Sequence, residues 1–313
     1  MRFSGLVIGG AGILPYPWLM LSLERLASLI EDHSAALKAT VREFAIGERF
    51  FAFNSAPAIM GVVNLSADSW YRESVCLSVE SAVRRAKVLH AQGAAIIDVG
   101  AESTLARAAR LDEAQQRSAL LPVVKELAAA GLIVSIETYE QKVARAGLEA
   151  GAKVVNLTGM EDAAEIYAMA AEFSAAVIIC YVQGRNVREV GDFDLKNVIP
   201  TMTDYFARQT ELAAKAGLEK ILIDPGLGFY YRNLQDSATR VRHQMETFLQ
   251  TFRLRTLGLP VCHALPHAFE FFGEEVRCAE PFFAVLAALG KTDLFRTHEV
   301  PRIKAVLDTL KIL

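Results

Sequence analysis

The chain has 313 residues, 52% of them hydrophobic and 22% charged, and 33 basic against 36 acidic side chains leave a formal charge of −3. That composition buries a large core and excludes a disordered chain, and the near balance of charge argues against an electrostatic nucleic-acid binder. Four scattered cysteines (Cys76, Cys180, Cys262, Cys278) with no CxxC pair point to a reducing cytoplasm rather than a disulfide framework.

At the N-terminus, residues 6–21 are apolar but interrupted by Gly9, Gly10, Gly12, Pro15 and Pro17, and the run is short for a membrane span. Only Arg2 precedes it, and no small-residue cleavage site follows before the helical stretch 22–40. A packed N-terminal extension over residues 1–45 is therefore expected, with no membrane contact. The amphipathic stretch 22–40 reads as packing or an oligomer contact rather than a membrane anchor. Gly9-Gly10-Ala11-Gly12 leads into Ile13-Leu14-Pro15 rather than a helix start, so it is not a phosphate loop.

From Ala58 onward short β-branched runs alternate with stretches of helical periodicity. The strands predicted are 59–63, 95–99, 133–136, 153–156, 176–181, 221–223, 260–264 and 293–295. The helices predicted are 79–92, 112–130, 139–150, 161–173, 197–216, 237–257, 281–289 and 300–310. Apolar strands without alternation are buried on both faces, as in a parallel sheet. Eight such units favour an α/β fold of the (β/α)8 TIM-barrel type over residues 46–313, ahead of an open doubly wound sheet. No G-x-G-x-x-G follows any strand, which weakens the dinucleotide-binding alternative.

A barrel carries its active site at the C-terminal ends of the strands. Polar and ionisable residues recur there: Asn64, then Asp98, then Glu137-Thr138, then Asn156, then Asp224-Pro225-Gly226, and finally Arg296-Thr297-His298. Buried carboxylates and amides need partners, and a ligand is one source of them. Taken singly, Asp98 and Asp224 also read as loop caps or partners of an arginine, and His298 as a helix-start histidine.

The run from Ile59 to Trp70, Ile-Met-Gly-Val-Val-Asn-Leu-Ser-Ala-Asp-Ser-Trp, resembles the first signature of the dihydropteroate synthase family. Ile96 to Thr104, Ile-Ile-Asp-Val-Gly-Ala-Glu-Ser-Thr, is similar to the second. Ile223-Asp224-Pro225-Gly226-Leu227-Gly228-Phe229 and Arg296-Thr297-His298 agree in order and spacing, and the run from Ala144 to Ala152 with Asn156 falls where the family has a similar stretch. The resemblance implies a transferase that joins a hydroxymethyl-pterin diphosphate to an arylamine, 4-aminobenzoate in the family, with loss of diphosphate and help from Mg2+. It places Asp98, Asn156, Asp224 and Glu137 on the pterin, and Arg296, His298 and Asn64 on the diphosphate. Asn64 is also placed at the metal. It further implies a homodimer and a role in folate biosynthesis.

The amine side departs from the family pattern. The loops concerned carry Asp68, Ser69, Trp70, Thr104 and Ala268. After the seventh strand the family has Ser-Arg-Lys-Ser, whereas this chain has Pro266-His267-Ala268-Phe269, so the lysine falls on Ala268. Thr104 is followed by Leu105-Ala106 instead of Arg-Pro, and Glu137-Thr138 replaces Asp-Thr. A glycine-lysine becomes Tyr230-Tyr231, a phenylalanine becomes Trp70, and a proline becomes Ala67. Arg107 and Arg110 are candidates to replace the lost loop arginine, a solvated face being the equal alternative. Trp70 and Tyr230 read equally as stacking groups or as a covering lid. His263 and His267 are four apart, but Pro266 between them spoils a helical metal pair, and they read as loop residues. Two rival functions stay open: a non-catalytic pterin-binding paralogue, and corrinoid-linked methyl transfer from a reduced pterin. The second ranks last, because Arg296 and His298 would then be idle.

Overall fold

A computed structural model describes residues 21–69, 71–102, 110–187, 189–228 and 231–312. The chain divides into two compact units, residues 1–38 and 39–313. In the first, α1 (Leu23–Asp32) starts at Ser22, whose Oγ accepts from the Arg25 backbone N–H. It buries none of its residues. A separate 3-10 turn, Ala36–Lys38, follows, so the helix expected over 22–40 stops early.

The second unit opens with an antiparallel hairpin that the sequence reading missed, β1 (Phe44–Ile46) and β2 (Arg49–Phe51), joined through Gly47 at φ +59°. Eight parallel strands follow: β3 (Ala58–Asn64), β4 (Ile96–Gly100), β5 (Val134–Thr138), β6 (Val154–Leu157), β7 (Ala176–Cys180), β8 (Ile221–Asp224), β9 (Cys262–Ala264) and β10 (Leu294–Thr297). They pair in the order β8-β7-β6-β5-β4-β3-β10-β9. A bridge between Ile223 and Val261, with Ile223 N–H donating to Pro260 O at 3.0 Å, closes the ring. This is a TIM barrel, and the open-sheet alternative is excluded.

The surrounding helices are α2 (Val79–Ala91), α3 (Glu113–Ala129), α4 (Gln141–Glu149), α5 (Ala163–Glu172), α6 (Val198–Lys215), α7 (Ser237–Leu249), α8 (Thr251–Leu254), α9 (Phe269–Phe272), α10 (Ala279–Leu289) and α11 (Val300–Leu310). Capping boxes at Ser78/Ser81 and Asp112/Gln115 fix the starts of α2 and α3. The helix expected over 237–257 breaks into α7, α8 and a 3-10 turn that ends at Gly258, whose φ of +73° reverses the chain. The short α9 and the 3-10 stretch Gly273–Cys278 lie between β9 and α10 and were not anticipated. Among the described residues, no helix is long and apolar enough to cross a membrane.

Two layers fill the barrel. Ile46, Phe51 and Phe53 from the hairpin region pack against Met60, Ile96, Val154, Ile178, Leu222, Cys262 and Leu294, which plugs the lower end with apolar side chains. The upper layer is polar. On β5, Ile136 points outward: a Cβ at Gly147 on α4 would lie 2.2 Å from its Cδ1, so that helix packs this closely only with glycine there. Strand alternation then turns Ser135 and Glu137 inward. The register sets Asp98 opposite Val62 and Ser135, and Glu137 opposite Gly100 and Asn156.

Candidate active site

The pterin-side residues named from the sequence converge at the top of the barrel. Asp98 is fully buried, and its carboxylate accepts from Ser135 Oγ at 2.6 Å, Asn156 Nδ2 at 3.1 Å and Arg296 Nε at 2.7 Å. Asp224, also buried, stands slightly apart and accepts from the Gly226 backbone N–H at 2.8 Å. Burial pushes its pKa up to about 6, against the opposing pull of Gly226 N–H and Arg296. Three alternate strands, β4, β6 and β8, thus offer carboxylate acceptors with one amide that both donates and accepts.

Arg296 lines the cavity together with Asn64 and His298, and its guanidinium binds Asp98 through Nε and Glu137 through Nη2. The physical reason is charge compensation: two carboxylates buried this deeply need a cation, and Glu137 has the reach to share it. Burial raises Glu137 to about 7, with Arg296 opposing and Asp98 adding. Burial acts to lower the Arg296 pKa, but Glu137 and Asp98 outweigh it and hold the guanidinium above its ordinary range. Arg296 and Glu137 line the open cavity above, while Asp98, Asn156 and Asp224 lie beneath that cavity's lining.

The opposite wall is built around Glu280, a residue the sequence reading missed. It is fully buried on α10, and its Oε2 accepts from Thr297 Oγ1, from His298 N at 3.1 Å and from Glu299 N at 3.2 Å. Its Oε1 accepts from His298 Nδ1 at 2.8 Å and lies 3.2 Å from His267 Nε2. Burial alone would raise Glu280, but the two histidines outweigh it and hold the carboxyl well below the usual range. Burial also lowers the His298 pKa, more than Glu280 raises it. His298 Nε2 then faces Asn64 Nδ2 at 3.4 Å. Asn64 Nδ2 also donates to Ser69 Oγ at 2.8 Å and to Ser74 Oγ at 2.6 Å. Tyr71 stacks on both His267 and His298, with ring centroids 5.1 and 4.8 Å away, while its hydroxyl binds Glu299.

On the amine side, Ala268 lines the cavity at the start of α9 with φ +46°. Asp68 is exposed on the first loop, and Ser69 is buried against Asn64. Trp70, Thr104, Arg107 and Tyr230 lie outside the described residues. Arg110 pairs with Glu189 at 2.9 Å on the surface. Two further cavity residues escaped the sequence reading. Arg240 is buried with its guanidinium on Glu270 Oε1 at 2.6 Å, and Gln244 donates to Leu227 O at 2.8 Å. Both sit on α7, where helical periodicity marks them only as one face of an ordinary helix. His263 points away to Thr251 Oγ1 at 2.8 Å, packed on Phe248, whereas His267 enters the cavity wall.

The (β/α)8 barrel, with buried carboxylates and an amide at its mouth facing a second wall of histidines and asparagine, carries a polar ligand pocket at the C-terminal ends of its strands. The sequence profile of the family described as pterin binding enzyme matches residues 60–264. The dihydropteroate synthase of Streptococcus pyogenes is 30% identical over 276 residues, covering 84% of this chain and 97% of the relative. That of Synechocystis is 28% identical over 267 residues, covering 82% and 89%. A probable bifunctional folylpolyglutamate synthase/dihydropteroate synthase of Haloferax volcanii is 29% identical, and this chain spans only 31% of its length. The structure of Thermus thermophilus dihydropteroate synthase in complex with 4-aminobenzoate shares the fold with a TM-score of 0.73 at 24% identity, over 87% of this chain and 100% of that one. The chain belongs to the dihydropteroate synthase family of pterin-binding enzymes.

Proposed function

We propose that this chain condenses a hydroxymethyl-pterin diphosphate with an arylamine and releases diphosphate. The observation that carries this reading is the floor of Asp98, Ser135, Asn156 and Asp224, whose acceptors and amide match the donor-rich edge of a pterin ring. In this reading the pterin displaces Arg296 from Asp98. The freed guanidinium, with His298 and Asn64, then faces the diphosphate, where charge-assisted hydrogen bonds offset the negative charge growing on the bridging oxygen. Loss of diphosphate leaves an electrophilic methylene, which the amine nitrogen captures.

The residues present fit a magnesium ion. Asn64 Nδ2 is engaged with Ser69 and Ser74, which leaves its Oδ1, a hard oxygen donor, for the ion. Mg2+ needs only one or two such protein ligands when diphosphate oxygens complete its shell. Bound there, the ion supplies charge that offsets the leaving group.

The amine is either 4-aminobenzoate or an altered amine, since Ala268 and Phe269 replace a lysine and a serine on that wall. A homodimer in the cytoplasm completes the proposal. Phe282, Val285 and Leu289 form an exposed apolar stripe along α10, and three of the four cysteines are buried free thiols. The second reading, a non-catalytic pterin binder, is favoured by the missing lysine alone. Product formation from the pterin diphosphate and 4-aminobenzoate, with and without Mg2+, separates the two. Turnover supports the transferase, tight binding without turnover supports the binder, and the absence of pterin binding contradicts both.

A further inference from the structure

We propose that His267, Glu280 and His298 form a binding site for a divalent transition-metal ion of the zinc class, open on one side to the cavity. The three donor atoms all lie within 4.8 Å of one another. His298 Nδ1 is 2.8 Å and His267 Nε2 is 3.2 Å from the same carboxylate oxygen, Glu280 Oε1. Ligands held about 2.0–2.2 Å from a tetrahedral zinc lie roughly 3.3–3.6 Å apart, so each imidazole shifts by tenths of an ångström relative to Glu280, and the two, within 4.8 Å of each other, draw together around the ion.

Two features set this cluster apart from a chance grouping. First, His267 Nε2 is buried and makes no hydrogen bond despite its proximity to Glu280. An orphaned buried ring nitrogen is costly, and a metal bond is one way to satisfy it. Second, the carboxylate is held from behind. Thr297 Oγ1 and the backbone N–H groups of His298 and Glu299 bind Oε2, which aims Oε1 at the two imidazoles. Supports of this kind orient ligands in metal sites.

Two imidazoles and a carboxylate select zinc, cobalt or nickel over magnesium, which takes all-oxygen shells. The set also leaves a fourth position. His267 and His298 line the cavity beside Asn64, so that position faces the space where an oxygen ligand from water or a phosphoryl group can enter. The metal site stands on its own geometry. Its use in the reaction, as a positive charge on a wall that has lost its lysine, rests on the transferase reading above.

The test is a titration of metal-free protein with Co2+, followed by its visible absorption, with Zn2+ as competitor. The expected result is saturation at a single equivalent per chain, displacement by Zn2+, and a spectral change when inorganic diphosphate is added. His267→Ala, in the loop that forms the cavity wall, should weaken binding by about 100-fold or more, beyond the roughly 10–100-fold cost of losing a supporting partner. His90→Ala, on the exposed face of α2, should bind as the parent does. Substoichiometric binding, or equal binding by His267→Ala, would overturn the site. An unchanged spectrum with diphosphate would overturn the open position. Metal binding without any pterin binding would keep the site and remove the transferase reading, so the two fail separately.

Discussion

Replacing Arg296 by methionine keeps the length of its stem and removes the cation that Asp98 and Glu137 share. Asp98 retains Ser135 Oγ and Asn156 Nδ2, whereas Glu137 loses the guanidinium that compensates it. The side chains are 15% exposed for Arg296, 0% for Asp98 and 11% for Glu137, so solvent screens little of the loss. Breaking a buried pair in this way costs about 3–5 kcal/mol. In a barrel of this size that is a fall in Tm of roughly 5–9 °C. The sign of the pH dependence follows from Glu137, which burial already raises to about 7. Its folded form holds the proton more tightly than the unfolded chain does. The stability from that proton is therefore full below about pH 4.5, the ordinary carboxyl value, and is lost as pH rises through about 7. Without Arg296 the Glu137 pKa rises further, so the penalty of Arg296→Met should be largest near pH 8 and shrink toward pH 5.5. Urea denaturation at several pH values measures it, and Glu137→Gln added to Arg296→Met should recover much of the loss through a double-mutant cycle. A loss below about 1 kcal/mol, the range of exposed ion pairs, would refute the reasoning. So would a penalty that is flat with pH.

Three further outcomes are expected. Asp224 must be ionised to accept from the pterin edge, and its pKa is raised to about 6, so pterin affinity measured by calorimetry should be constant above pH 7 and fall about tenfold per unit below 6; affinity that stays level down to pH 5 contradicts its role. Ala268→Lys should raise turnover with 4-aminobenzoate, because a positioned ammonium contact is worth roughly 1.5–3 kcal/mol, or about one to two decades; brisk turnover by the parent chain, unimproved by the variant, contradicts the assignment of that wall. Gly290→Ala should destabilise the chain by about 1–3 kcal/mol or more, since the new Cβ would lie 1.8 Å from the backbone oxygen of Phe248; chemical denaturation measures this, and a neutral result would mean that α7 and α10 yield freely.

How much was legible in the sequence depended on which interactions are local. Eight buried strands show as continuous apolar runs, so the barrel and the residues at its strand ends follow from period and order. The hairpin Phe44–Phe51 is missed because its strands are three residues each and gain their burial only by plugging a barrel formed later in the chain. The pairing of Arg296 is hidden for a related reason. The resemblance locates it on β10, but its partners, Asp98 and Glu137, are fixed by cross-barrel register rather than by any motif. Glu280 is likewise invisible, since α10 reads as an apolar helix and one acidic residue in its first turn looks like an ordinary helix start. Its role is created by β10 ending beside it. The break at Gly258 was signalled by the glycine itself, but the apolar periodicity through residue 257 masked the split of α7 from α8.

In the proposed reaction the floor beneath Arg296 recognises a pterin ring. The most direct test is calorimetric titration of a hydroxymethyl-pterin diphosphate into the parent chain and into Asp98→Asn, which keeps the side-chain shape but presents a donor to the donor edge of the ring. The expected result is saturable binding at a single site in the parent and loss of that binding in the variant, with both proteins folded by circular dichroism. Binding of equal strength in the two, or none in the parent, would contradict it.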